Sequence, residues 1–194
     1  PSHISIHMMR MKNNLELNMK NMKTITLNNF FDNPDDIKNL ALSLDYRSRN
    51  VDEYFEGVRS SMIKEIDTNL YNSICSKIVS EYYGKQPLSY NAELFFHQTK
   101  DDDKKDTQWL NDKVHTDKGQ IAGIIYLTPN APTDCGTQTY LKIDDKYVPD
   151  IKMGNVYNRL IVYPSNFYHS AMNLFGDDIY NRLVILFFLY EVEF

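Results

Sequence analysis

Gln120-Ile121-Ala122-Gly123-Ile124-Ile125-Tyr126-Leu127-Thr128 is a run of β-branched, aliphatic and aromatic residues closed by Gly119 before it and Pro129-Asn130 after it. A run of that length and composition between turn residues reads as a β-strand. The same signature recurs on both sides, over Glu93 to Thr99, Thr107 to His115, Thr137 to Ile143, Val156 to Tyr163, Phe167 to Met172 and Tyr180 to Val192. Gly, Pro, Asn and Asp turns separate these segments. Many short strands in succession after Pro87 predict a sandwich or barrel.

Upstream of Pro87 the periodicity is helical. Asn33-Pro34-Asp35-Asp36 is a helix start: Asn33 can cap, Pro34 suits the first helical position, and the acids favour the positive end of the helix dipole. Ile37, Leu40, Ala41 and Leu44 then share one face. From Asp67 to Tyr82, Leu70, Ile74, Ile78 and Tyr82 recur every four residues, and Gly84 supplies the stop. Two helices with one apolar face each need a sheet to cover. The fold class is therefore mainly β with flanking helices, helical over about 33–84 and β over about 93–192, as one domain from 22 to 194. Residues 1–21 lack apolar periodicity and read as a disordered tail outside the domain, in which His3 and His7 carry no helix to support a metal site.

Composition narrows the function. A chain of 194 residues with 42% hydrophobic content can bury one sizeable core. A net charge of −5 offers no basic footprint for phosphates, so nucleic acid is disfavoured as a partner. Two cysteines, Cys75 and Cys135, make neither a disulfide framework nor a cysteine-based zinc pattern, which suits a reducing cytoplasm. The longest apolar runs are too short to span a bilayer, so no membrane association is expected.

His115-Thr116-Asp117 closes one of the strands and enters the next turn, and His169 lies on a later short strand after Pro164-Ser165. Strand ends from two sheets can bring all three side chains to one end of a barrel. Two histidines and one carboxylate on a single face of a metal ion suit Fe(II), with the opposite positions left open. A turn hydrogen bond between His115 and Asp117, with His169 packed in the core, is the plainer alternative.

The order of motifs resembles the Fe(II)- and 2-oxoglutarate-dependent oxygenases, in particular the prolyl-hydroxylase-like branch with its small bacterial and phage members. The residues that carry the resemblance are His115-x-Asp117, Ile124-Ile125-Tyr126-Leu127, Cys135-Gly136-Thr137, Asn158-Arg159-Leu160-Ile161-Val162-Tyr163-Pro164-Ser165, His169 and Asn181-Arg182-Leu183. Together they span roughly 93 to 192. The resemblance implies a double-stranded β-helix, or jelly roll, with His115, Asp117 and His169 as metal ligands. It also implies Fe(II), 2-oxoglutarate and O2 as cofactor and cosubstrates, with ascorbate as an accessory reductant.

Within that resemblance Arg182 takes the place of the basic residue that pairs with the distal carboxylate of 2-oxoglutarate, and Tyr126 that of a tyrosine bonding the same group. A guanidinium suits the task because it donates two parallel bonds and stays charged when buried. Arg182 follows His169 by thirteen residues, a longer interval than the family commonly shows. A turn over Asn173 to Asp178 would absorb the excess; otherwise Arg159 is the reserve. The carboxylate ligand Asp117 favours hydroxylation of a C–H bond over halogenation. Trp109, Asn111 and Lys113 share a strand face with His115 and could line the substrate entrance. His97, on the first barrel strand, could approach the site but reads more simply as a structural histidine, and Cys135 carries no assigned chemistry. The substrate, a small molecule or a peptidyl group, is not legible. The competing reading is a non-catalytic jelly-roll that binds a metal or a partner.

Overall fold

The computed structural model describes residues 23–48, 55–100 and 113–194. The tail over 1–21, most of the expected strand from Thr107, the acidic run at 101–106, and Trp109 and Asn111 lie outside the described residues. Among the described residues, ten strands and three helices follow in chain order: β1 (Ile25–Leu27), α1 (Pro34–Leu42), β2 (Arg47–Ser48), β3 (Val58–Met62), α2 (Ile63–Ile66), α3 (Thr68–Tyr83), β4 (Ser89–Thr99), β5 (Ile121–Tyr126), β6 (Thr137–Ile143), β7 (Lys146–Met153), β8 (Leu160–Pro164), β9 (Tyr168–Ala171) and β10 (Arg182–Glu193). They form an antiparallel seven-stranded sheet, in the order β1-β8-β5-β10-β4-β3-β2, and a three-stranded sheet, in the order β7-β6-β9. The architecture is a jelly roll with helices against the larger sheet.

The larger sheet is covered on both faces, which is why its central strands read as continuous apolar runs. Every residue of β5 is buried. Alternate residues nonetheless go to different cores. Ile121, Ile125 and Leu127 join Leu183, Ile185, Phe187 and Leu189 of β10 against Ile74, Ile78 and Tyr82 of α3. Ala122, Ile124 and Tyr126 face the other way with Val184, Ile161 and Tyr163, into the space between the sheets. Arg182 shares the parity of Val184, so the alternation points it inward.

Local chemistry explains the helix ends. The Asp67 carboxylate accepts from the backbone N–H groups of Asn69 and Leu70, both at 2.9 Å, and Gly84 ends α3 in the left-handed region at φ 70°. Asn33 precedes Pro34 as expected but makes no side-chain cap bond; its side chain leaves the role to the proline-set backbone.

Two strand groups depart from the sequence reading. β3 lies within the span expected to be helical and extends the large sheet beside β4. β7 carries residues exposed almost throughout and a proline at Pro149, so no alternation betrays it, while an edge position tolerates the missing N–H. Among the described residues no helix is long and apolar enough to cross a membrane.

Candidate metal and cosubstrate site

His115 and His169 meet as neighbours across an antiparallel bridge. The His115 N–H donates to the His169 carbonyl at 3.1 Å and the His169 N–H to the His115 carbonyl at 2.9 Å. The following turn is fixed to the rest of the fold: the Asp117 N–H donates to Ser165 O at 2.8 Å, and the Gln120 N–H to Leu189 O at 2.7 Å. Gly119 makes that turn possible, with φ at 100° and an imagined Cβ only 2.5 Å from Leu189 O. Gly119→Ala is expected to cost about 1–3 kcal/mol of stability and to weaken metal binding along with it, read by urea unfolding and metal titration. A variant with wild-type stability and metal affinity would show that the turn does not set the ligands.

The three candidate ligand atoms lie within 4.8 Å of one another. The two oxygens of Asp117 each address one histidine: His169 Nε2 at 3.2 Å and His115 Nε2 at 3.7 Å. Octahedral ligands about 2.1 Å from a metal stand about 3 Å apart, so this set needs only a small contraction. Both rings are oriented from behind. His169 Nδ1 lies 2.9 Å from the Phe167 carbonyl and His115 Nδ1 lies 2.7 Å from the Lys113 carbonyl. A carbonyl only accepts, so each Nδ1 is placed to donate, and each Nε2, on the side of Asp117, is the atom available to a metal. His169 is buried and packs 4.6 Å from the Tyr163 ring, whereas His115 stands at the rim with more than half of its side chain exposed. Desolvation and then the neighbouring His169 hold the His115 imidazole below the usual histidine range, which favours its neutral form.

A cavity of about 540 Å³ opens from the triad into the space between the sheets. Arg182 lines it, 3% exposed. Its Nε donates to the Cys135 carbonyl at 3.3 Å, and its guanidinium sits 5.6 Å from the centre of the Tyr126 ring. Among the described residues no carboxylate stands within ion-pair distance of it. Thr99, directly across the strand pair from Arg182, also lines the cavity with a buried, unpartnered hydroxyl. The turn that brings Arg182 to this point loops outward. The Asp177 carboxylate accepts from the backbone of Ile179 and Tyr180, Gly176 bridges Asn181, and Ile179 is 93% exposed. Arg159 is turned away, donating to Asn28 Oδ1 and the Gly154 carbonyl.

Tyr126 lies one layer behind the cavity wall, fully buried, with its hydroxyl 2.9 Å from Thr137 Oγ1. Burial pushes its phenol up, so it remains a donor. Lys113 reaches the cavity, paired with Glu56. The sequence reading missed Phe55, Glu56, Arg59 and Thr99 as lining residues; His97, which it preferred as structural while allowing an approach to the site, also lines the cavity. No local pattern announces β3, and inward orientation on β4 emerges only from its register.

Burial, then the charges of Arg59 and Arg182, hold His97 well below its usual pKa. The unfolded chain takes up this proton below about pH 6.5 and the folded chain does not. Stability contributed by the neutral ring is therefore full above that pH and falls as pH drops below it, by up to about 1.4 kcal/mol per unit. Urea unfolding at stepped pH should show this slope in wild type and its reduction in His97→Leu; identical slopes would place the proton elsewhere.

No protein-family model matches the chain, and no curated protein matches it. Solved structures do. A prolyl hydroxylase from Trichoplax adhaerens, solved with a hypoxia inducible factor peptide fragment, superposes with a TM-score of 0.52 at 13% identity, covering 98% of this chain and 94% of that one. A putative oxygenase from Shewanella oneidensis gives 0.51 at 13% identity, over 90% and 83% of the two chains. The Fe(II)/α-ketoglutarate-dependent dioxygenase TqaL gives 0.51 at 13% identity, over 92% and 87%. The fold of this chain is thus the jelly roll found in prolyl hydroxylases and Fe(II)/2-oxoglutarate dioxygenases. At this identity the likeness concerns the fold, and the chemistry must come from the residues.

Proposed function

We propose that the protein is an Fe(II)- and 2-oxoglutarate-dependent oxygenase of prolyl-hydroxylase-like type that hydroxylates a C–H bond. The observation that carries the proposal is Arg182: a buried guanidinium without a carboxylate partner among the described residues, facing the cavity that holds the triad. A buried cation left uncompensated is costly, and a ligand carboxylate removes that cost. The donor set also fits the metal, because two backbone-oriented imidazoles and one carboxylate on a single side suit Fe(II) and leave coordination positions free.

His115, Asp117 and His169 would hold the iron. Arg182 and Thr99 would receive the distal carboxylate of 2-oxoglutarate, with the protonated Tyr126 hydroxyl beside Thr137 supporting the same end. Bound iron supplies O2 activation, and the overall conversion is substrate C–H plus O2 plus 2-oxoglutarate to C–OH plus succinate plus CO2. The protein's own residues orient the cosubstrate between Arg182 and the triad. The apolar wall of Ile124, Leu186 and Phe188 keeps bulk water from the reacting face. Ascorbate would act only as an accessory reductant. A cytoplasmic location accords with these requirements.

Anaerobic addition of Fe(II) and then 2-oxoglutarate to the full chain tests the reading. A visible metal-to-ligand charge-transfer band, followed by succinate release on admitting air, is expected. A folded protein that binds iron but never develops the band would overturn it.

A further inference from the structure

We propose that Glu56 is a positioning residue for His115: by pairing with Lys113 at the cavity mouth, it fixes the carbonyl that sets the His115 ring. This rests on the reading of His115 as a metal ligand. The backbone around that histidine gives it little support of its own. His115 pairs with His169 through an isolated bridge rather than a continuous strand, and more than half of its side chain is exposed. Orientation of the ring therefore falls to the Lys113 carbonyl, 2.7 Å from Nδ1. What fixes Lys113 fixes the ring.

Glu56 is carried on backbone that is itself tightly seated. Gly57 follows it at φ 73°, and an imagined Cβ there would lie 2.0 Å from the Gln98 carbonyl oxygen, so the chain lies directly on β4. On the other side Phe55 is buried, its ring 5.9 Å from that of His97. Val58 then pairs with Gln98 as β3 begins. Held from both sides, the Glu56 carboxylate accepts from the Lys113 ammonium, with 19% and 20% of the two side chains exposed. Fully exposed ion pairs hold little geometry, because water screens them and two long side chains must be ordered. This pair is mostly buried, and one partner is anchored at its backbone. It joins residues 57 positions apart, tying the segment that bears His115 to the β3–β4 side of the larger sheet. His169 needs no such tie: its orienting carbonyl belongs to Phe167, whose own N–H donates to the Pro164 carbonyl at 2.9 Å.

The imidazole tautomers of the metal-free full chain report the effect, read by long-range proton–nitrogen correlation NMR above the histidine titration range. Wild-type His115 should carry its proton on Nδ1. Glu56→Gln keeps the shape and removes the charge, and should give a mixture of the two His115 tautomers while the His169 signals stay as in wild type. Lys113→Met, which retains the carbonyl, should do the same, and Lys113→Arg should keep the wild-type pattern. If Glu56→Gln does not fold, the two Lys113 variants carry the comparison. Calorimetric affinity for Mn(II) should fall about tenfold in Glu56→Gln and in Lys113→Met, the low end of the loss for a group that orients a ligand. The double variant should lose no more than either single one, since both act through one contact. Unchanged His115 tautomers or unchanged Mn(II) affinity in the single variants, an equal disturbance of His169, or additive losses in the double variant overturns the proposal. If wild type binds no Mn(II), the metal reading fails, while the tautomers still decide whether Glu56 orients His115.

Discussion

His169→Ala is expected to lower Fe(II) affinity by more than about 100-fold, because removing a ligand must cost more than the 10- to 100-fold typical of losing only a group that orients one. His169 is the best-fixed member of the triad. Its Nδ1 is held by the Phe167 carbonyl, its ring packs between those of Tyr163 and His115, and its Nε2 lies 3.2 Å from Asp117. Anaerobic calorimetric titration with Fe(II), or with Mn(II) as an air-stable substitute, reads the loss directly. Asp117→Ala should behave alike, since that carboxylate faces both imidazoles and supplies the set's negative charge. His97→Leu should leave metal affinity unchanged. Wild-type affinity in His169→Ala would remove the metal from this site altogether.

Arg182→Leu should separate function from stability in opposite directions. Without the guanidinium, 2-oxoglutarate affinity is expected to fall by about 10² to 10³, the cost of removing a charged, two-bond partner from a buried carboxylate, while iron binding persists. The ligand-free variant should be at least as stable as wild type, and more stable by on the order of 1 kcal/mol, because an apolar side chain replaces a buried charge. The Cys135 carbonyl and the Tyr126 ring offset only part of that burden in wild type. Thermal unfolding with and without 2-oxoglutarate tests both halves: wild type should gain stability from the ligand and Arg182→Leu should not. Unaltered 2-oxoglutarate binding in the variant would make Arg182 a structural residue.

Much of the site was legible because its residues sit at strand ends, and strands announce themselves in this chain. His115 and Asp117 flank a turn that Gly119 marks, and His169 follows Pro164-Ser165. The thirteen-residue interval from His169 to Arg182 left the arginine's direction open in sequence. Register resolves it: Arg182 has the inward parity of Val184 and stands opposite Thr99. The part of the cavity wall made by Arg59 and His97 was not legible. β3 is short and flanked by a helix, and its pairing with β4 joins residues far apart in the chain, which no periodicity encodes.

The sequence by itself determined the class of fold, because alternation and turn residues are local consequences of backbone geometry. It also determined the residue types available for a metal and an anion, since ligand chemistry belongs to the side chain. Tertiary structure alone decided which of those residues share a cavity. Convergence of His115 with His169, the inward turn of Arg182 and the juxtaposition of Arg59 with His97 are set by strand register and sheet packing, long-range contacts whose energy is spread over the whole core.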